Sequence, residues 1–408
     1  MPAASAQEAG TGAALRAPGR GPGGPGRGAG GSGCGRATLT CRKSLIERSP
    51  ACYKRLMSEA LRPAAARSAT LEDVARIAGV SRATVSRVIN GIRNVDPAIQ
   101  ETVKQAIATT GYVPNGAARS LVTRRAGALA LVVSGTDADE ADDRSTRAHV
   151  FTDPFFGRVV SGVFTALSPQ GLHPVLMLAD TPEAREQAVA YLRQGNADGA
   201  MVVSTHASDP MPALLLAAGV PTVLFGRPDS PLPVSCVDLA NRDGARLAAD
   251  RLHGRGCRRV VTISGPSAVR AARDRLDGFQ EAMARHGLPY LPHAEADFTQ
   301  AGGERAMARL LAEHPELDGV FAANDLMAQG AVAVLQDHGL RVPEDIAVVG
   351  FDDSSAATAG RPLLTTVRQP VEEMAAEMAR ILLDHLARPG RGVSSAIFEP
   401  TLVVRQSA

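Results

Sequence analysis

Two sets of side chains in this sequence stand where chemistry is possible. The first lies in Ser81–Ile89, SRATVSRVI. At helical spacing Val85, Val88 and Ile89 share one face, which leaves Arg82, Ala83, Ser86 and Arg87 facing outward. That outward face is a candidate DNA-reading surface, and its plain alternative is a solvated helix face. The second set lies in three places along the chain, Arg273 and Arg275, Asn324-Asp325, and Asp352-Asp353, which bring guanidinium, amide and carboxylate groups. Such groups hydrogen-bond vicinal hydroxyls in pairs, and Phe351 or Phe156 is available to cover an apolar sugar face. Each has a plain rival: an ion pair for Arg275 beside Asp274 and Asp277, and a helix cap or loop tie for Asn324 and Asp352.

The elements that would position the first set carry their own punctuation. Thr70 with Asp73 three residues later predicts a capped helix start, Gly79-Val80 a turn, and Ser81 the cap of a second helix. Asp96-Pro97 opens a third helix over Ala98–Thr109, with Ile99, Val103 and Ile107 as its apolar positions and Gly111 as its stop. The stretch GAARSLVTRR that follows Tyr112-Val113-Pro114-Asn115 is too short and too rich in small residues to be a stable helix alone, but it can become one on a partner.

The second set depends on a larger body. Apolar runs at 128–133, 174–178, 200–203, 222–225, 260–263, 319–322 and 346–349 alternate with helical stretches such as 182–194, 241–254 and 327–338. Short continuous apolar strands between helices predict parallel sheets covered on both faces, divided into two lobes. In open sheets of this kind small molecules sit beyond the carboxyl ends of the strands. Asn324 follows one such strand, Asp352 follows another, and Arg275 lies in the helix after a third.

Charge divides the chain in the same places. Residues 1–68 carry +8, 69–125 carry +4 and 126–408 carry −10, against a total of +2. A basic front on an acidic body suits a protein whose one end meets phosphate. The Gly/Pro/Arg-rich residues 1–68 cannot bury enough surface to offset backbone entropy and read as a disordered basic tail. Two further readings stand for it: translation beginning at Met57, or added nonspecific attraction to DNA. No run of about 18 apolar residues and no secretory signal is apparent, so a cytoplasmic, nucleoid-associated location is expected. The five cysteines show no metal-ligand or redox spacing and are expected as free thiols. No cofactor or metal is expected. No GxSxG elbow, P-loop, HExxH or strand-borne GxGxxG is present, which argues against an enzyme on this scaffold.

Residues 70–125 resemble the headpiece and hinge of the lactose repressor (LacI) family in TLEDVARIAGVS, TVSRVIN and GYVPNGAARSL. The resemblance implies an all-α helix-turn-helix headpiece joined to a two-lobed α/β effector domain like the type I periplasmic binding proteins, with parallel sheets. Its divisions would be 1–68 tail, 69–113 DNA-binding domain, 114–125 hinge helix and 126–408 effector and dimerisation domain. It puts Arg82, Ala83 and Arg87 at base edges, with Arg suited to guanine O6/N7 and the Ala83 methyl to thymine. Thr84, Ser86 and Asn90 are candidate phosphate contacts, and Thr70, Ser81, Asn115, Ala118 and Arg119 complete the expected DNA-facing set. Leu121 falls where the family wedges a leucine into the minor groove. Gly116 departs from the family by weakening that short helix.

In the body the resemblance puts effector contacts at Arg275, Asn324 and Asp352, and likens Asp153, Phe155 and Phe156 to a cleft-lining segment. The expected function is a repressor that binds a palindromic operator as a homodimer under control of a sugar-like effector. A purine or nucleoside effector is the alternative within that class, and a transport-type sugar-binding protein the alternative outside it. No leucine-heptad tail follows Val404, so a dimer rather than a tetramer is expected. The acidic stretch 134–152 is longer than the family's loop and reads as a solvated insertion or a lid. Its charge would disfavour an anionic effector.

Overall fold

The computed structural model describes residues 69–91, 95–113, 125–135, 152–204, 206 and 208–408. The tail, the hinge residues Asn115, Ala118, Arg119 and Leu121, and most of the acidic stretch lie outside the described residues. The chain divides into two compact units, a small helical one ending at Tyr112 and a larger one ending at Ala408.

The small unit begins where its capping chemistry requires. Helix α1, Leu71–Ala78, starts on a complete capping box: the Asp73 amide donates to the Thr70 hydroxyl and the Thr70 amide to the Asp73 carboxylate at 3.0 Å. Gly79 closes it with φ 66°, a left-handed turn that a side chain would strain. Helix α2, Arg82–Ile89, follows the Ser81 hydroxyl, which accepts from the Thr84 amide at 3.1 Å. Helix α3, Pro97–Thr110, is capped by Asp96 and ends at Gly111, also left-handed. Val74, Ala75, Ala78, Val85, Val103 and Ala106 are buried here. Ile99, expected among the apolar positions of α3, is instead exposed at the first turn, and Ala106 takes a core place that its small side chain had hidden.

In the large unit the alternation of strand and helix builds two six-stranded sheets. The first lobe contains β1 (Ala128–Ser134), α4 (Pro154–Leu167), β2 (His173–Ala179), α5 (Pro182–Arg193), β3 (Ala200–Ser204), α6 (Met211–Ala217), β4 (Thr222–Phe225) and β5 (Ser235–Leu239). The second contains α7 (Asn241–Gly254), β6 (Val260–Ser264), α8 (Arg270–Arg285), β7 (His293–Glu295), α9 (Gln300–Glu313), β8 (Gly319–Ala322), α10 (Asp325–Asp337), β9 (Ala347–Asp352), α11 (Ala356–Ala359) and β10 (Thr365–Arg368). The chain then returns to the first lobe through α12 (Val371–Ala387) and β11 (Ser395–Phe398), and ends its last strand, β12 (Thr401–Val403), in the second. The sheet orders are β11-β5-β4-β3-β1-β2 and β12-β10-β9-β8-β6-β7, parallel throughout except for the β10–β12 pair.

Three crossovers therefore join the lobes, at 239–241, 369–371 and 398–401. Residues Leu129–Val133 of β1 are all buried, as a central strand covered on both faces must be. One apolar cluster runs from Leu131, Val163 and Leu382 in the first lobe to Phe279, Phe321 and Phe351 in the second. A fully buried leucine or phenylalanine contributes roughly 1.5–3 kcal/mol, so this shared core binds the lobes into one unit. Helix α12 lies so close to α4 that a Cβ on Gly162 would stand 2.2 Å from the Glu372 carbonyl.

Candidate nucleic-acid interface and effector cleft

On α2 the exposed residues are Arg82, Ala83 and Arg87, with Ser86 and Thr84 half-buried and Val85 fully buried. Arg82 pairs with Glu72 at 2.8 Å, but both side chains are mostly exposed, so the pair is worth little and leaves Arg82 able to swing to another partner. The hydroxyls of Thr70 and Ser81 are engaged in capping, which fixes the exposed ends of α1 and α2. Asn90 is half-buried just past α2. Burial thus puts the bulky apolar residues inside and a guanidinium-bearing face outside.

The second lobe gathers the effector candidates around Arg275. This arginine is buried on α8, and its Nη1 donates to the Ala323 carbonyl at 2.6 Å and to Asp352 Oδ1 at 3.3 Å. Nε donates to Asn241 Oδ1 and Nη2 to Gln369 Oε1, each at 2.9 Å. Asp352 ends β9 with φ 104°, and burial pushes its carboxyl up to about 6 against the pull of Arg275, with the Asp153 charge pushing the same way as burial. Asp325 is more deeply placed: burial, then the neighbouring Asp352, raises it to about 8, although Thr366 and the Ser354 amide donate to it at 2.6 and 2.7 Å. Burial lowers the Arg275 pKa while Asp352 opposes it.

Asn324 performs the capping that its plain rival reading assigned it. Its Oδ1 accepts from the Met327 amide and its Nδ2 donates to the Phe298 carbonyl, both at 2.9 Å. Asp325, by contrast, ties the 353–355 loop to β10, and Asp353 pairs with Arg368 and Arg405. Phe351 requires a correction. It is fully buried, with the Arg275 guanidinium 3.7 Å above its ring and Gly244 against its edge, so it supports the arginine rather than covering a ligand. An aromatic group that sequence reasoning missed, Phe298, stands at the end of the β7 loop with φ 63° and its ring against Gly265.

From the first lobe, Asp153 caps α4 by accepting from the Phe155 amide at 2.9 Å. Phe155 meets Phe156 and Phe225 edge-on at 5.2 and 5.3 Å and is half-buried against the shared core. Arg158, not anticipated, donates to the Asp352 and Gln369 carbonyls at 2.9 Å and to Glu372. The β4–β5 loop also reaches across: Asp229 pairs with Arg270 and Arg273 of α8, and Arg227 with Asp274 at 3.4 Å. These partners lie too far apart in sequence for spacing to reveal them. The structure therefore assembles Arg275 and Asp352 directly, places Asn324 next to them through the 323–324 turn, and leaves Asp153, Phe155 and Phe156 on the facing lobe.

Residues 70–115 match the model of bacterial regulatory proteins of the lacI family, and 249–408 match a periplasmic binding protein-like domain. The HTH-type transcriptional regulator CelR of Thermobifida fusca is 44% identical over 346 residues, covering 84% of this chain and 98% of its own. The ribose operon repressor of Escherichia coli is 32% identical over 344 residues, 83% of this chain and 100% of its own. Among solved structures, a CelR–cellobiose complex superposes with a TM-score of 0.65 at 42% identity, over 83% of this chain and 100% of that one. The lac repressor dimer bound to operator and the anti-inducer ONPF gives 0.71 at 26% identity, over 84% and 99%. No helix of the described residues is long and apolar enough to cross a membrane. With the capped helix-turn-helix in front and the two-lobed parallel-sheet body behind it, the chain belongs to the LacI family of DNA-binding transcriptional regulators and is not an enzyme.

Proposed function

We propose that this protein is a repressor that binds a roughly palindromic operator as a homodimer in the cytoplasm and is controlled by a neutral sugar, with cellobiose as the leading candidate. In this reading α2 enters the major groove with Arg82, Ala83 and Arg87 at base edges, and 114–125 forms a hinge helix whose Leu121 wedges the minor groove. The effector sits between the lobes against Arg275, Asp352 and Asn324.

The buried Arg275–Asp352 pair at the carboxyl ends of β8 and β9 carries the reading. Among the described residues, one N–H of Arg275 Nη2 and Asp352 Oδ2 are the valences of this pair left over by the protein's own bonds. A donor beside an acceptor suits hydroxyl groups, which do both. The carboxylates of Asp153 and Asp352 around that point repel an added anion, which favours a neutral ligand over a phosphorylated one. The cellobiose complex of the similar regulator CelR adds chemical plausibility to a glucose disaccharide. Isothermal titration of the full chain with cellobiose, ribose, a sugar phosphate and adenosine tests this. Saturable binding of a neutral sugar is expected. Tighter binding of the phosphorylated sugar than of its neutral parent, or binding of adenosine alone, overturns it.

A further inference from the structure

Asn241 and Gln369 are polar residues exposed to only 3% and 4%, the former two residues past the end of β5 and the latter directly past the end of β10. Asn241 stands on the first crossover, where its Nδ2 donates to the Leu239 carbonyl at 3.2 Å and its Oδ1 accepts from Arg275 Nε. Gln369 stands on the second, where its Oε1 accepts from Arg275 Nη2 and its main-chain carbonyl accepts from Arg158 of the first lobe. One guanidinium thus holds two of the three segments about which the lobes can turn, as well as the ends of β8 and β9. Burying two amides is costly unless each is satisfied, and here the same arginine donates to both amide oxygens, while Asn241 Nδ2 donates to Leu239 and Gln369 Nε2 to Met374 Sδ at 3.9 Å.

We infer that Asn241 and Gln369 are positioning residues that fasten Arg275 to both crossovers, so that a ligand engaging this guanidinium changes the angle between the lobes. The inference rests on the effector reading for its ligand, but the fastening itself does not. A hydroxyl that draws Nη2 toward the cleft draws it away from Gln369, and the planar guanidinium must carry Nε with it, changing the bond to Asn241. Sugar contact is thereby converted into movement of two hinges, and linkage requires that operator binding alter sugar affinity by the same factor.

The test uses the full chain with Gln369→Met, which removes the acceptor at nearly constant volume, and Gln369→Glu, which keeps it. The first readout is the ratio of operator affinities with and without saturating cellobiose, measured on the DNA upstream of its own gene. In Gln369→Met the ratio falls by about fivefold or more, and Gln369→Glu restores it. A residue with a merely structural part would lower thermal stability and leave the ratio at the wild-type value, which overturns the inference. The second readout is sugar-free amide hydrogen exchange in peptides spanning 239–245. Among the described residues, the hydrogen bonds of the Gln369 side chain reach that crossover through Arg275, so Gln369→Met should speed exchange there while Gln369→Glu does not. Unchanged exchange at 239–245 overturns the fastening even if wild-type protein ignores cellobiose, whereas a wild-type protein that binds neither operator nor sugar overturns the functional reading alone.

Discussion

Asp352 and Asp325 share one buried neighbourhood, and each gives a pH signature of its own. For Asp352, held up to about 6 chiefly by burial, the ionised form is the one that accepts a ligand hydroxyl. Sugar affinity should therefore be full near pH 8 and weaken as pH falls through about 6, read by titration calorimetry across that range. Asp153→Asn removes a charge that raises this carboxyl, so the midpoint should move down; an upward move would contradict the account. Asp325, raised to about 8 from 3.8, keeps a proton in the folded state that the unfolded chain has lost. Folded-state proton binding in that window makes stability fall as pH rises between about 4 and 8, by up to about 1.4 kcal/mol per pH unit. Asp325→Asn should flatten the slope of the thermal midpoint over this window, and an unchanged slope would show that another group sets it. Asn324 and Asp352 could be singled out because they stand at the ends of recognisable strands, and Arg275 because it lies on the helix after a third. Arg158, Asn241 and Gln369 could not: their bonds to the site span 194, 34 and 94 residues, and only the fold brings them together. Phe351 misled for a related reason, since what covers its ring comes from α7 and α8 rather than from its own loop.

Elements set by local chemistry were read nearly to the residue, and elements defined by their neighbours were not. The starts of α1, α2 and α3 follow from Thr70, Ser81 and Asp96, because a cap needs only the next three residues. Strands β1, β3, β4 and β8 are continuous apolar runs and declare themselves. Strand β5 is interrupted by the buried Ser235 and Asp238, β7 exposes two of its three residues, and β10 is TTVR. Those three form because an adjacent strand offers a hydrogen-bonding edge, a fact absent from their own residues. Capping gives the element-scale prediction. Thr70→Ala removes the hydroxyl that accepts from the Asp73 amide, leaving the residue-70 amide to donate to Asp73, and should cost the headpiece about 1 kcal/mol. Thermal unfolding of the isolated segment is unnecessary, since exchange of the α1 amides in the full chain reads the loss directly. Protection equal to wild type would show that tertiary packing, and not the cap, holds that helix.

For the whole molecule the division of charge and the division of structure coincide. The +8 and +4 segments precede Ala126, and the −10 falls on the body that forms the two sheets. Such a body avoids phosphate while its headpiece seeks it, and the acidic cleft then favours an uncharged signal. The lobes share a core and are crossed by ion pairs from Asp229 and Arg227, so an effector acts on a unit whose parts are already coupled. The central claim is that one chain reads DNA at its front and releases it in response to a sugar bound behind. A gel shift at moderate salt, on the DNA upstream of its own gene, measures both ends at once. The account predicts a specific shift that cellobiose or a related neutral sugar relieves, and that Leu121→Ala weakens far more than it weakens binding to unrelated DNA. No shift on any upstream fragment, or a shift that no neutral sugar alters, would contradict it.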